Sequence, residues 1–289
     1  MPRPPAVVRS FGWIVLLALA ASPAVAVAAP PVKPDGVEVE KDLPYLGEGR
    51  AEKLDLYRPA AAPPAGTRRP AVVIIHGGGW TGGDKAADRE LGIGYTVASA
   101  GWVGVSINYR LATKEKATWP GNLDDCRAAV RFLRANADKY AIDPDRIAAI
   151  GGSAGGHLSL MLGTRAAGAE RVRAVVALYA PTDLTARAAV TMLGADATEE
   201  LKRAASPIHQ LTPDFPPVLL MHGTNDKTVP IESSRSMEAA MKKAKLDVKY
   251  VEVEGAPHTF PLQTAKHDLR PTFVEFLKSA FERKPAQGK

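Results

Sequence analysis

"RIAAIGGSAGGHLSLMLGTRA" (residues 146–166) changes character twice: an apolar run enters Gly151-Gly152-Ser153-Ala154-Gly155, and an apolar stretch able to form a helix leaves it. A G-x-S-x-G element between strand and helix holds a serine hydroxyl up on a sharp turn. Glycines flank the serine because side chains there would collide across the bend. Ser153 is therefore a candidate nucleophile. The competing reading is a glycine-rich turn carrying an incidental serine, so partners must be sought elsewhere in the chain.

Similar apolar runs recur on both sides: "AVVIIHG" (71–77), "WVGVSINYR" (102–110), "AVVALYAP" (174–181), "PVLLMHGTND" (217–226) and "KYVEVEGAPH" (249–258). Continuous Val- and Ile-rich runs belong to parallel strands covered on both faces. Helical patterns intervene. "GNLDDCRAAVRFLRANADKY" (121–140) places Leu123, Cys126, Val130 and Leu133 on one face, and "SSRSMEAAMKKAKL" (233–246) opens with serines suited to an N-cap and closes on lysines suited to the helix dipole. The alternation predicts an α/β fold, an open and mostly parallel central sheet flanked by helices, with ligands bound beyond the carboxyl ends of the strands. Residues 182–216 break the rhythm as an alanine-rich, polar insert, expected to form short helices over the site like a lid. Ahead of the first parallel strand, residues 30–70 are proline-rich, and within them "EKLDLYRP" (52–59) alternates as a half-exposed strand does, so this stretch reads as an edge hairpin leading into the main domain.

The C-terminal half supplies partners for Ser153 in the order acid then histidine: Asp226 in "HGTND" and His258 in "PHTF", each just past a predicted strand. His258 would take the serine proton and later deliver it to the leaving group, and Asp226 would hold the imidazole in one tautomer. Asp183, Asp214 and Asp247 are weaker candidates for the acid. His157 and His222 read as hydrogen-bonded structural residues, and His267 as solvated.

"HGGGWTGGDK" (76–85) is the second glycine-rich segment. A phosphate-binding loop needs a lysine after the last glycine of G-x-x-x-x-G, and Asp84 stands there instead. A loop that aims bare amides at a developing oxyanion needs no such lysine, so Gly78 and Gly79 are the expected donors, joined by the amide of Ala154. His76, Gly77 and Trp80 then support that loop.

Composition bounds the rest. The 289 residues are 46% hydrophobic and 24% charged, ordinary for a globular protein, and Cys126 is the single cysteine, which excludes an internal disulfide and any multi-cysteine metal site. Arg3 and Arg9 precede "WIVLLALAA", Pro23 and "AVAVAAP", the order of a secretory signal peptide over residues 1–28 with cleavage after Ala26 or Ala28; the apolar part is too short for a stable membrane anchor. Residues 29–44 then form an N-terminal extension and 45–282 the catalytic domain, in a secreted or periplasmic protein. Basic residues are interleaved with acids, which argues against a nucleic-acid surface.

Taken together, "HGGGW", "GGSAGG", "HGTND" and "PHTF" make a chain that resembles the α/β-hydrolase serine esterases of the hormone-sensitive-lipase-like and bacterial feruloyl/acetyl-esterase-like (carbohydrate esterase) group, over roughly residues 45–280. It departs from the hormone-sensitive-lipase pattern in having no long helical cap before the first glycine loop. The resemblance implies an α/β-hydrolase fold, no cofactor and no metal. It also implies hydrolysis of short acyl esters, acetyl or feruloyl, on small molecules or plant polysaccharide. Two other readings share the motif order: a serine peptidase of the prolyl-oligopeptidase type, and a non-catalytic binding protein that keeps the fold.

Overall fold

The computed structural model describes residues 30–164, 168–187, 190–264 and 266–283; the predicted signal peptide lies outside them. Eight strands form one sheet in the order β1-β2-β4-β3-β5-β6-β7-β8. These are β1 (Val37–Pro44), β2 (Lys53–Pro59), β3 (Arg69–Ile75), β4 (Val103–Ile107), β5 (Ile142–Gly152), β6 (Ala174–Leu178), β7 (Val218–Gly223) and β8 (Val248–Val253). β2 alone runs against its neighbours, and the pairings from β4 through β8 are parallel. All six apolar runs singled out in the sequence are strands of this sheet. Residues 29–44, expected as an extension ahead of the domain, contain β1, whose Val37 is buried against Tyr57 and Ala98. That expectation is corrected: the sheet edge begins at Val37.

Alternation within a buried strand divides the core in two. Ala71, Val73 and Ile75 of β3 face the helices α2 (Gly121–Ala135), α3 (Ala154–Leu162) and α5 (Glu232–Lys243). Val72 and Ile74 face α1 (Asp88–Ser99) and α6 (Arg270–Glu282). Cys126 is fully buried in the first layer and burial pushes its thiol up, so it fills space there. Both α1 and α6 escaped the sequence reading because their apolar positions are diluted by charged and small residues.

The serines of α5 do not cap it. Ser233 accepts the amide of Thr182 and donates to the carbonyl of Ala180, while Ser234 bonds His222, so both tie the helix start to other strand-end loops. The 182–216 insert carries the short helix α4 (Glu199–Ala204) and 3-10 turns, and buries Leu184, Met192 and Ala205 completely. Expected as a lid-like insert over the site, it also packs into the core layer of α2 and α3.

The 76–85 loop is fixed by its two charged residues. Lys85 is buried and its ammonium meets Asp55 of β2 at 2.7 Å and Asp42 of β1 at 2.9 Å, while Asp84 accepts from the side chain of Asn108. The Asp55 side chain is fully buried. Removing one partner of a buried pair strands the other charge, at a cost of about 3–5 kcal/mol. Lys85→Met should therefore lose stability on that order, read as a lowered urea midpoint at an unchanged slope.

Candidate active site

Ser153 sits between β5 and α3 with φ 55° and ψ −121°, a left-handed conformation that costs a non-glycine residue about 1–3 kcal/mol. It persists because its neighbours leave no alternative. A Cβ on Gly155 would lie 2.0 Å from the carbonyl oxygen of Ile75, so the start of α3 is pressed onto the end of β3. The Ser153 amide donates to the carbonyl of Leu178 at 2.9 Å, anchoring the turn to β6. The result is a hydroxyl projecting from the carboxyl edge of the sheet.

Two further strand ends complete a linear array. Ser153 Oγ lies 3.0 Å from His258 Nε2, and His258 Nδ1 lies 2.7 Å from Asp226 Oδ2. His258 follows β8 and Asp226 follows β7, and the two loops are stitched together by Asn225 N–H to the Ala256 carbonyl and Gly255 N–H to Thr224 Oγ1. The sequence-predicted Ser153, His258 and Asp226 are thus brought within hydrogen-bond contact.

A carboxylate offers about four lone-pair sites, and Asp226 uses them all. Oδ1 accepts the amides of Thr228 (2.8 Å) and Val229 (2.9 Å); Oδ2 accepts from His258 and from His222 Nε2 at 3.1 Å. Burial pushes the Asp226 carboxyl up, and the bonds from His258, Val229 and Thr228 outweigh burial and hold it below the usual carboxylate range. The tautomer of His222 follows from its partners. Its Nε2 faces only acceptors, Asp226 and the Val229 carbonyl at 3.0 Å, so it carries the proton, and Nδ1 accepts from Ser234 at 2.7 Å. Burial holds His222 below the ordinary histidine value, keeping it a neutral donor. Read from sequence as structural, it touches the same carboxylate oxygen as His258.

A cavity of about 470 Å³ opens over the serine, lined by Gly77, Gly78, Gly79, Trp80, Ala154 and His258 among others. Gly78 has φ 106°, and a Cβ there would fall 2.2 Å from the Gly82 carbonyl oxygen, so the loop closes only with glycine. Ala154 opens α3, where an N–H has no carbonyl one turn back to receive it. His76 is buried, stacks on Tyr109 at 4.3 Å, and bonds the Gly77 carbonyl through Nδ1 at 2.7 Å. Trp80 packs edge-on to His157 at 5.2 Å.

Sequence reading missed a second layer. Arg89 of α1 lines the cavity, bonds Glu90 at 2.9 Å and donates to Tyr179 Oη at 2.8 Å, and the Tyr179 ring stands edge-on to His258 at 4.8 Å. Nothing in "DRE" separates this arginine from a solvated one. Tyr179 ends a predicted strand, the one signal available.

The BD-FAE family model matches residues 54–241. The chain belongs to the BD-FAE family. Among similar curated proteins are esterase LipC of Mycobacterium tuberculosis, 34% identical over 75% of this chain and 59% of that protein, and the probable carboxylic ester hydrolase LipM of the same organism, 32% identical over 76% and 56%. The chain therefore spans less than two thirds of these relatives. Among solved structures, a truncated carbohydrate esterase from gut microbiota aligns with TM-score 0.76 and 26% identity over 88% of this chain and all of that one. A thermophilic esterase of Thermogutta terrifontis aligns with TM-score 0.67 and 30% identity, over 87% of this chain and 93% of that one. The BD-FAE chain thus has the α/β-hydrolase fold expected of it.

His157, one turn into α3, is fully buried and bonds the Ala205 carbonyl at 2.7 Å; burial holds it down to about 4. An unfolded histidine takes its proton near pH 6.5, so between pH 6.5 and 4 the unfolded chain gains a proton that the folded one refuses. Stability from this group is complete above pH 6.5 and falls on acidification, by on the order of 3 kcal/mol at pH 4. Urea unfolding at pH 7 and pH 4.5 should show a steeper loss in wild type than in His157→Gln, and parallel losses would contradict the assignment.

Proposed function

We propose that this protein is a serine carboxylesterase acting on short-chain acyl esters, including acylated carbohydrate. The observation that carries the reading is the contact series Ser153 Oγ, His258 Nε2, Nδ1 and Asp226 Oδ2, at 3.0 and 2.7 Å, beside a glycine loop in one cavity. Family membership and relatives named as esterases support it, and the carbohydrate esterase among the solved structures supports the substrate class.

In the proposed reaction Ser153 Oγ attacks the ester carbonyl as His258 Nε2 takes its proton. The oxyanion forms against the amides of Gly78, Gly79 and Ala154, where pre-placed donors need no reorganisation. The alcohol leaves with the proton from His258, giving an acyl-serine. Water, deprotonated by the same imidazole, then releases the acid and restores the serine. Asp226 stays ionised throughout, because four donors stabilise its charge, and it holds Nδ1–H toward itself. His222 is a positioning residue in this scheme, fixing the carboxylate from its far side. We further propose export to the periplasm or medium, supported by the order of Arg3, Arg9, the apolar run and the Ala-x-Ala sites.

p-Nitrophenyl acetate hydrolysis should fall by about 10⁴–10⁶ in kcat in Ser153→Ala, with loss of fluorophosphonate labelling, and by roughly 10⁴ in Asp226→Asn. Equal rates in wild type and Ser153→Ala would end the proposal. His222→Phe, which removes the donor to Asp226, should lower kcat by about tenfold with little change in KM, the loss of about one hydrogen bond to a charged group. His222→Gln, whose amide nitrogen reaches the Nε2 position, should recover most of that loss, and an equal defect in both variants would assign His222 to packing alone.

A further inference from the structure

The charges that line the cavity are matched by protein groups, with one exception. Arg89 is matched by Glu90, His258 faces Asp226, and Asp84 accepts from Asn108 and from the amide of Ala86. Arg187, the side chain that the docked insert brings to the cavity wall, has no such partner. It lines the same space as Ser153, Ala154, Thr228, Val229 and His258, yet among the described residues its guanidinium has no ion-pair or hydrogen-bond partner, and burial alone acts on its charge. The positions outside the described set (1–29, 165–167, 188–189, 265 and 284–289) contain no Asp or Glu, so no side-chain carboxylate of this chain reaches it.

The side chain is half-buried, and burial without any opposing attraction holds it below the ordinary arginine value. Protein charges taken out of water are normally paired, because desolvation of an ion goes uncompensated otherwise. An unpaired cation on a cavity wall is thus a place where the missing anion arrives with the ligand. A guanidinium presents a planar fork of donors that matches a carboxylate with two parallel bonds. A dianionic phosphate fits less well, since Asp84 and Glu90 share the cavity lining and only one cation there is unmatched.

We infer that Arg187 receives a carboxylate borne by the ester, so that the favoured substrates of this site are monoanionic esters. The charge can sit on the acyl side, as in the hemiester of a dicarboxylic acid, or on the alcohol side, as in an acylated hydroxy acid or acidic sugar. The inference rests on the esterase reading above and deepens it to a substrate class.

Two matched pairs of esters separate the cases. Monoethyl adipate against ethyl adipamate varies charge on the acyl side, and 4-acetoxybenzoate against 4-acetoxybenzamide varies it on the alcohol side, with p-nitrophenyl acetate as reference. Wild type should favour the anionic member of one pair by about 10–100-fold in kcat/KM, and the pair that responds names the side. Arg187→Gln should bring that ratio to about one and Arg187→Lys should retain part of it. A ratio within one enzyme is unaffected by how much of the variant folds. Ratios near one in wild type for both pairs, or a wild-type ratio preserved in Arg187→Gln, would overturn the inference. If p-nitrophenyl acetate and all four test esters resist wild type, the esterase reading itself fails; if the reference ester is cleaved and both ratios are flat, only the role of Arg187 does.

Discussion

The site depends on one contact between backbones: the first turn of α3 lies against the last residues of β3, so closely that Gly155 could not carry a single carbon more. Two consequences follow from that proximity. It forces Ser153 into its left-handed conformation, raising the hydroxyl above the sheet edge. It also sets the loop that leaves β3, with Gly78 and Gly79, beside the hydroxyl, because that loop starts where α3 is pinned. The Ser153 hydroxyl and the backbone of Gly78 and Gly79 are therefore placed by the same steric fact. The strain at Ser153, about 1–3 kcal/mol, is small against the burial of α3, every residue of which is inside the core.

Charge management explains the remainder of the site. Asp226 is ionised in a place where its side chain is inaccessible to solvent, and it is stable there because donors occupy both oxygens from both sides. Two of those donors are backbone amides of the turn that follows β7, so the carboxylate is oriented by the main chain before His258 arrives. The buried histidines His76, His157 and His222 are all pushed toward neutrality, which leaves the surroundings of His258 without competing imidazolium charge at neutral pH. Arg89 and Glu90 cancel each other within α1.

How much of this could be read in advance depended on whether the signal was local. Ser153, Asp226 and His258 each end a Val- or Ile-rich run, so strand periodicity and residue type together located them. Gly78 and Gly79 were legible because only a turn or a close approach justifies such a density of glycine. Arg89 and Arg187 were not, since nothing in their neighbours separates them from solvated arginines, and Tyr179 was marked only by its place at a strand end. His222 was read as structural because a histidine inside an apolar strand is usually a core residue, and only the geometry shows that its partner is Asp226. The edge hairpin is legible in the alternation of residues 52–59, whereas the start of the domain is hidden among prolines, and the insert's alanines conceal the fully buried Leu184 and Met192.

The pairing of Lys85 with Asp55 and Asp42 ties the glycine loop to β2, which runs antiparallel to its neighbours, and to its hairpin partner β1. The outermost ribbon of the sheet is thereby a structural counterweight to the cavity over Ser153, although no residue of β1 or β2 lines that cavity. Any trimming of the coding sequence that begins at the first parallel strand would yield a molecule whose motifs are intact on paper and whose glycine loop has lost its mooring. The minimal autonomous unit therefore extends upstream of the glycine loop and of the G-x-S-x-G element.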